Sequence, residues 1–129
     1  MDPTEVMVVD DEQMVCDRLR DHLEKQGFQV DTFTASKAAL DALEHKRYHV
    51  VVTDLKMAGP TGLDVLQNVR QRGYPTQVII ITGYASMEAA REAEAVGAYD
   101  FLCKPFELKE LTKLIKKAAK RAKRGVGPS

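Results

Sequence analysis

Val50-Val51-Val52-Thr53-Asp54 is a short apolar run, β-branched from its first residue, that stops on a carboxylate. A run of this kind shows no alternation of apolar and polar residues, so it fits a strand buried on both faces, as in a parallel sheet covered by helices. The same form recurs on either side of it. Val6-Met7-Val8-Val9 precedes Asp10-Asp11, and Val78-Ile79-Ile80-Ile81 precedes Thr82. Two weaker runs, Val30 to Phe33 and Phe101-Leu102-Cys103 before Lys104, are expected at the edges of the sheet.

Amphipathic stretches separate these runs. Cys16, Leu19 and Leu23 recur at helical spacing, and Gly27 stops that helix. Ser36 is expected to cap the next, which carries Leu40 and Leu43. Thr61 or Gly62 precedes a third with Leu63, Leu66 and Val69, closed by Gly73 and Pro75. Ser86 precedes a fourth, rich in alanine, closed by Gly97, and Pro105 is expected to start the fifth. The pattern predicts an α/β fold, (βα)5, and right-handed crossovers make it a doubly wound five-stranded parallel sheet.

In a parallel sheet every strand ends on the same edge. Asp10, Asp11, Asp54, Thr82 and Lys104 therefore converge where open α/β sheets bind ligands. Any one of them alone reads as an ordinary turn or cap residue, and only their convergence points to chemistry. Three neighbouring carboxylates repel one another, and a divalent cation relieves that repulsion. Oxygen ligands with room left for phosphate suit Mg²⁺, and the absence of His or Cys among them disfavours zinc. A carboxylate so placed is able to form an aspartyl-phosphate, with Lys104 neutralising charge and the Thr82 hydroxyl donating to a phosphoryl oxygen.

The 129 residues are 44% hydrophobic and 29% charged, the size and composition of one globular domain. No apolar run approaches the roughly 20 residues needed to span a bilayer, and the start, Met1 to Glu5, has no secretion signal. Cys16 and Cys103 form neither a disulfide framework nor a metal motif and are expected as reduced thiols in a cytoplasmic protein. Net charge is zero, yet residues 107–129 hold eight of the 19 basic and two of the 19 acidic residues, which leaves that segment at +6 and the rest at −6. Leu108, Leu111, Ile115 and Ala118 interrupt those charges at helical spacing, so they read as the solvated face of a last helix rather than a nucleic-acid surface.

Five segments carry a family resemblance: Val8-Val9-Asp10-Asp11-Glu12, Val52-Thr53-Asp54-Leu55-Lys56-Met57 with Gly62 beyond it, Ile80-Ile81-Thr82-Gly83, Gly97-Ala98-Tyr99-Asp100-Phe101, and Lys104-Pro105-Phe106. Together they resemble the receiver domain of two-component response regulators over about residues 4–120. The resemblance implies a flavodoxin-like strand order of 2-1-3-4-5 and a receiver at residues 1–120, with residues 121–129 a basic linker or tail. It implies Asp54 as phosphoacceptor, and Asp10, Asp11, Asp54 and the backbone carbonyl of Lys56 as Mg²⁺ ligands. Thr82 and Lys104 would respond to the phosphoryl group, and Phe101 would stand at the aromatic switch. The Lys104–Pro105 peptide is cis in the family. Lys56 and Tyr84, two positions after Asp54 and Thr82, are expected to tune the lifetime of the phosphorylated form. One departure is Ala58 where the family usually has proline, with Pro60 two residues later.

The implied partner is a sensor histidine kinase or phosphotransfer protein. The chain would catalyse only its own phosphorylation and dephosphorylation. An output domain beyond residue 129, a homodimer through the fourth helix, fifth strand and fifth helix, and no direct nucleic-acid contact by this domain are further expectations. Thr82-Gly83-Tyr84-Ala85-Ser86 is similar to receivers that precede AAA+ transcription activators or sensor kinases. Two rivals stand beside this reading. An aspartyl-phosphate phosphatase of haloacid-dehalogenase type needs a second Asp two residues after the nucleophile, where Lys56 stands. A pseudo-receiver, an interaction module that is never phosphorylated, would not need all five polar residues.

Overall fold

Each apolar run forms a strand and each amphipathic stretch a helix in the computed structural model, which describes residues 3–83 and 86–125. In chain order the elements are β1 (Glu5–Val9), α1 (Gln13–Lys25), β2 (Gln29–Phe33), α2 (Ser36–His45), β3 (Val50–Asp54), α3 (Gly62–Gln71), β4 (Gln77–Thr82), α4 (Met87–Val96), β5 (Asp100–Cys103) and α5 (Leu108–Lys123). The five strands are parallel in the order β2-β1-β3-β4-β5, so the two weaker runs are the edges, as their composition predicts.

Alternation along the central strands splits the core in two. Val6, Val8, Val50, Val52, Ile79 and Ile81 face α1 and α5, where they meet Cys16, Leu19, Leu23, Leu111 and Ile115. Met7, Val9, Val51, Val78 and Ile80 face the other way, onto Leu43, Val65, Leu66, Val69 and Ala93 of α2, α3 and α4. Side chains of successive strand residues point to opposite faces, so an unbroken apolar run supplies both layers at once. Each such side chain contributes about 1.5–3 kcal/mol by leaving water.

Helix ends follow local chemistry, with two corrections. Gly27, at φ 93°, ends α1: its N–H donates to the Glu24 carbonyl at 3.0 Å while the Phe28 N–H donates to Leu23 at 3.1 Å. Only a residue without Cβ adopts that left-handed turn cheaply. Thr61 caps α3 in a capping box with Asp64, and Ser86 caps α4 through the Ala89 N–H at 3.0 Å. Ser36, however, does not cap α2. Ala35 holds the N-cap position, and Ser36 is the first helical residue, its hydroxyl buried without a hydrogen-bond partner. Pro105 does not start α5 either; the helix begins at Leu108, after a turn that contains the cis Lys104–Pro105 peptide.

No helix among the described residues is long and apolar enough to cross a membrane.

Candidate functional site

The carboxyl edge of the sheet is where β1, β3, β4 and β5 release their chains. β1 stops at Val9, so Asp10 stands just beyond it, wholly buried, its Oδ1 accepting from the Glu12 N–H at 2.9 Å. Asp54 is the last residue of β3 and pairs in register with Ile81, which places Thr82 one step further along β4. Lys104 follows β5, and its N–H donates to the Thr82 carbonyl at 2.7 Å.

Lys104 draws the edge together. Its ammonium lies 2.7 Å from Asp10 Oδ2, 3.1 Å from Asp54 Oδ2 and 3.6 Å from Glu12 Oε1. The other Asp54 oxygen, Oδ1, accepts from the Lys56 N–H at 3.3 Å. Burial pushes the Asp10 carboxyl above its ordinary pKa, and the bonds from Lys104 and the Glu12 N–H only partly offset it. For Lys104 burial works downward, but Asp10 and Asp54 outweigh it and hold its pKa above the ordinary value.

Asp10, Asp11 and Glu12 offer carboxylate oxygens that all lie within 4.8 Å of one another. Three carboxylates, Asp10, Glu12 and Asp54, thus face one ammonium, with Asp11 beside the first two. A set of hard anionic oxygens, one of them desolvated and raised in pKa, suits a divalent cation with oxygen preference such as Mg²⁺. Glu12 was not among the ligands expected from sequence. Its place in the run Asp10-Asp11-Glu12 was the available signal, but it opens onto solvent and only the fold shows it turned toward Lys104.

The remaining expected residues take these positions. Thr82 is buried at the end of β4. Lys56 is exposed on the loop after β3. Phe101 is half-buried on β5 and packs against the core layer shared with α3 and α4. Tyr84 lies outside the described residues. Cys16 and Cys103 are free thiols, Cys16 buried with its S–H directed to the Asp10 carbonyl at 3.3 Å, and Cys103 exposed.

Chemically, the edge presents a nearly buried carboxylate beside a fixed cation, with acidic oxygens arranged for a metal. That arrangement is suited to accepting a phosphoryl group.

The response regulator receiver domain model matches residues 6–116. The transcriptional regulatory protein FixJ of Bradyrhizobium diazoefficiens is 37% identical over 117 residues, covering 91% of this chain and 57% of its own length. The transcriptional regulatory protein QseB of Escherichia coli O157:H7 is 35% identical over 106 residues, covering 82% of this chain and 48% of its own. The chain therefore spans about half the length of these relatives. Among solved structures, the response regulator receiver domain protein from Clostridium thermocellum superimposes with a TM-score of 0.87 at 31% identity, covering 94% of this chain and 98% of that one.

Proposed function

The chain belongs to the response regulator receiver domain family, and on that premise we propose that Asp54 accepts a phosphoryl group from the phosphohistidine of a sensor histidine kinase or phosphotransfer protein. The observation that carries this is the Lys104 ammonium bridging Asp54 at 3.1 Å and Asp10 at 2.7 Å.

In the transfer an Asp54 carboxylate oxygen attacks phosphorus. The P–N bond to the donor imidazole breaks, a P–O bond to Asp54 forms, and the imidazole leaves with the electron pair and takes up a proton. Lys104 stabilises negative charge on the transferring group. Mg²⁺ held by Asp10, Asp11, Asp54 and the Lys56 carbonyl, with Glu12 beside them, would supply further neutralisation of the phosphoryl oxygens. The Thr82 hydroxyl donates to the new oxygens, and Phe101 turns inward behind it. The α4-β5-α5 surface then changes shape, a local charge event biasing a two-state element.

That surface is the proposed contact for a second copy: α4 exposes Glu88, Glu92 and Glu94, and α5 is rich in basic residues, so acidic and basic faces of two copies can meet there. The receiver extends past residue 120, since α5 runs to Lys123 with Ala122 buried, and the basic end of that helix would lead to an output domain that regulates transcription, as the relatives' names suggest. The chain works in the cytoplasm, consistent with two free cysteines, touches no nucleic acid itself, and catalyses only reactions of its own Asp54. Tyr84 screens the phosphoryl group from attacking water, and Lys56 adds a positive charge beside it. Decay of the phosphorylated form should be faster in Tyr84→Ala, and an unchanged or slower decay rejects that role.

The central test is intact-mass measurement after incubation with acetyl phosphate and Mg²⁺. Wild type should gain one phosphoryl group and Asp54→Asn none. A wild type that gains none overturns the reading in favour of an unphosphorylated interaction module.

A further inference from the structure

The peptide that follows Asp54 is held from several sides. Its carbonyl lies one residue beyond the last register pair of β1 with β3, Val9 and Thr53. A buried carbonyl needs a donor, and the wholly buried Thr53 hydroxyl donates to it at 3.0 Å. The Leu55 N–H donates to the Ile81 carbonyl at 3.1 Å, and the Gly62 N–H donates to the Leu55 carbonyl at 2.9 Å. Gly62 also presses on the peptide directly. A Cβ there would collide with the Asp54 carbonyl oxygen and stand 3.0 Å from both the Asp54 carbonyl carbon and Leu55 Cα, inside ordinary van der Waals contact. The φ of Gly62 is not in the left-handed region, so close approach, not backbone conformation, requires glycine here.

We propose that Thr53 and Gly62 are positioning residues for phosphoryl transfer, fixing the Asp54–Leu55 peptide and through it the Asp54 carboxylate and the Lys56 backbone. The proposal rests on Asp54 being the acceptor. Its logic is geometric. Both Asp54 oxygens are already tethered, Oδ1 to the Lys56 N–H and Oδ2 to Lys104. A rotation of the peptide behind them would move the Lys56 N–H and turn the carboxylate away from the line of attack. Misplacements of about 1 Å cost on the order of a hundredfold in rate. Packing alone does not explain Thr53: the strand position is fully buried in an apolar layer, where valine has the same shape and no hydroxyl to satisfy.

The experiment measures the rate of Asp54 phosphorylation by acetyl phosphate with Mg²⁺ over a range of donor concentrations, alongside thermal melts. Thr53→Val should lower the saturating rate constant about tenfold and Gly62→Ala about a hundredfold. The donor concentration at half-saturation should not move. Thr53→Ser, which keeps the hydroxyl, should stay within about twofold of wild type. Because Gly62→Ala strains the loop, the two Thr53 variants decide the matter whether or not it folds. Wild-type rates in Thr53→Val, or equal losses in Thr53→Ser and Thr53→Val, overturn the proposal while leaving the acceptor reading intact. A wild type that takes no phosphoryl group removes the acceptor reading and this proposal with it.

Discussion

Asp10 shows how much of the site works against the fold. It is wholly buried, and burial raises its pKa more than Lys104 and the Glu12 N–H lower it. A carboxyl whose folded pKa exceeds its unfolded one binds more protons in the native state. Stability therefore falls as pH rises from the unfolded value near 3.8 through the folded one, and the deficit persists at neutral pH. Asp10→Asn is expected to raise the stability of the metal-free protein at neutral pH, since it removes the charge that burial penalises. Lys104 is not orphaned by the change, since Asp54 remains at 3.1 Å and Glu12 at 3.6 Å. Thermal melts at neutral and acidic pH check this: the gain should shrink below the carboxylate range, and a lower midpoint at neutral pH contradicts it. Lys104 behaves oppositely. Its raised pKa makes its contribution complete below its unfolded value and lost only as pH rises through the folded one, in the alkaline range. Which residues occupy this edge follows from strand-end positions in the sequence. The ammonium bridging two of them does not, because Lys104 is 94 residues from Asp10 and 50 from Asp54.

At the scale of elements, periodicity locates helices better than it locates their ends. The apolar spacing of α2 is correct in Leu43, but Ser36 misleads, because a serine before an apolar stretch looks like a cap. One residue of offset turns it from cap to first helical residue and buries its hydroxyl unpartnered. Ser36→Ala removes that unsatisfied group and favours helix, so it should stabilise by about 1 kcal/mol. Urea unfolding measures it, and a loss of stability would mean that the hydroxyl has a partner. Pro105 misleads for a related reason. Proline suits a first helical turn, yet here it belongs to the turn that carries Lys104 to Asp10 and Asp54, and α5 waits until Leu108. For α3 the sequence left Thr61 and Gly62 both open, and the structure makes Thr61 the N-cap through a local capping box with Asp64 three residues on.

Over the whole molecule, the acidic edge and the two-layered core are coupled through ligand binding. If Mg²⁺ binds only the folded edge, it should stabilise the entire domain, by about 2.7 kcal/mol at a hundredfold excess over Kd. Melts with and without Mg²⁺ test this, with Asp11→Asn expected to lose most of the shift; equal shifts in both proteins would place the ion elsewhere. The alternation of five runs with five helices, the edge strands and the position of the carboxyl edge all follow from the chain itself. β-Branched runs, helical spacing and right-handed crossovers are properties of neighbouring residues and chirality, so they are legible along one dimension. Tertiary structure alone decided that Lys104 reaches Asp10, Asp54 and Glu12, that Asp11 and Glu12 gather beside Asp10, and that Gly62 presses on the Asp54 carbonyl. Those contacts depend on strand register and on how α3 and the turn after β5 pack over the sheet, distances that residue types do not encode singly.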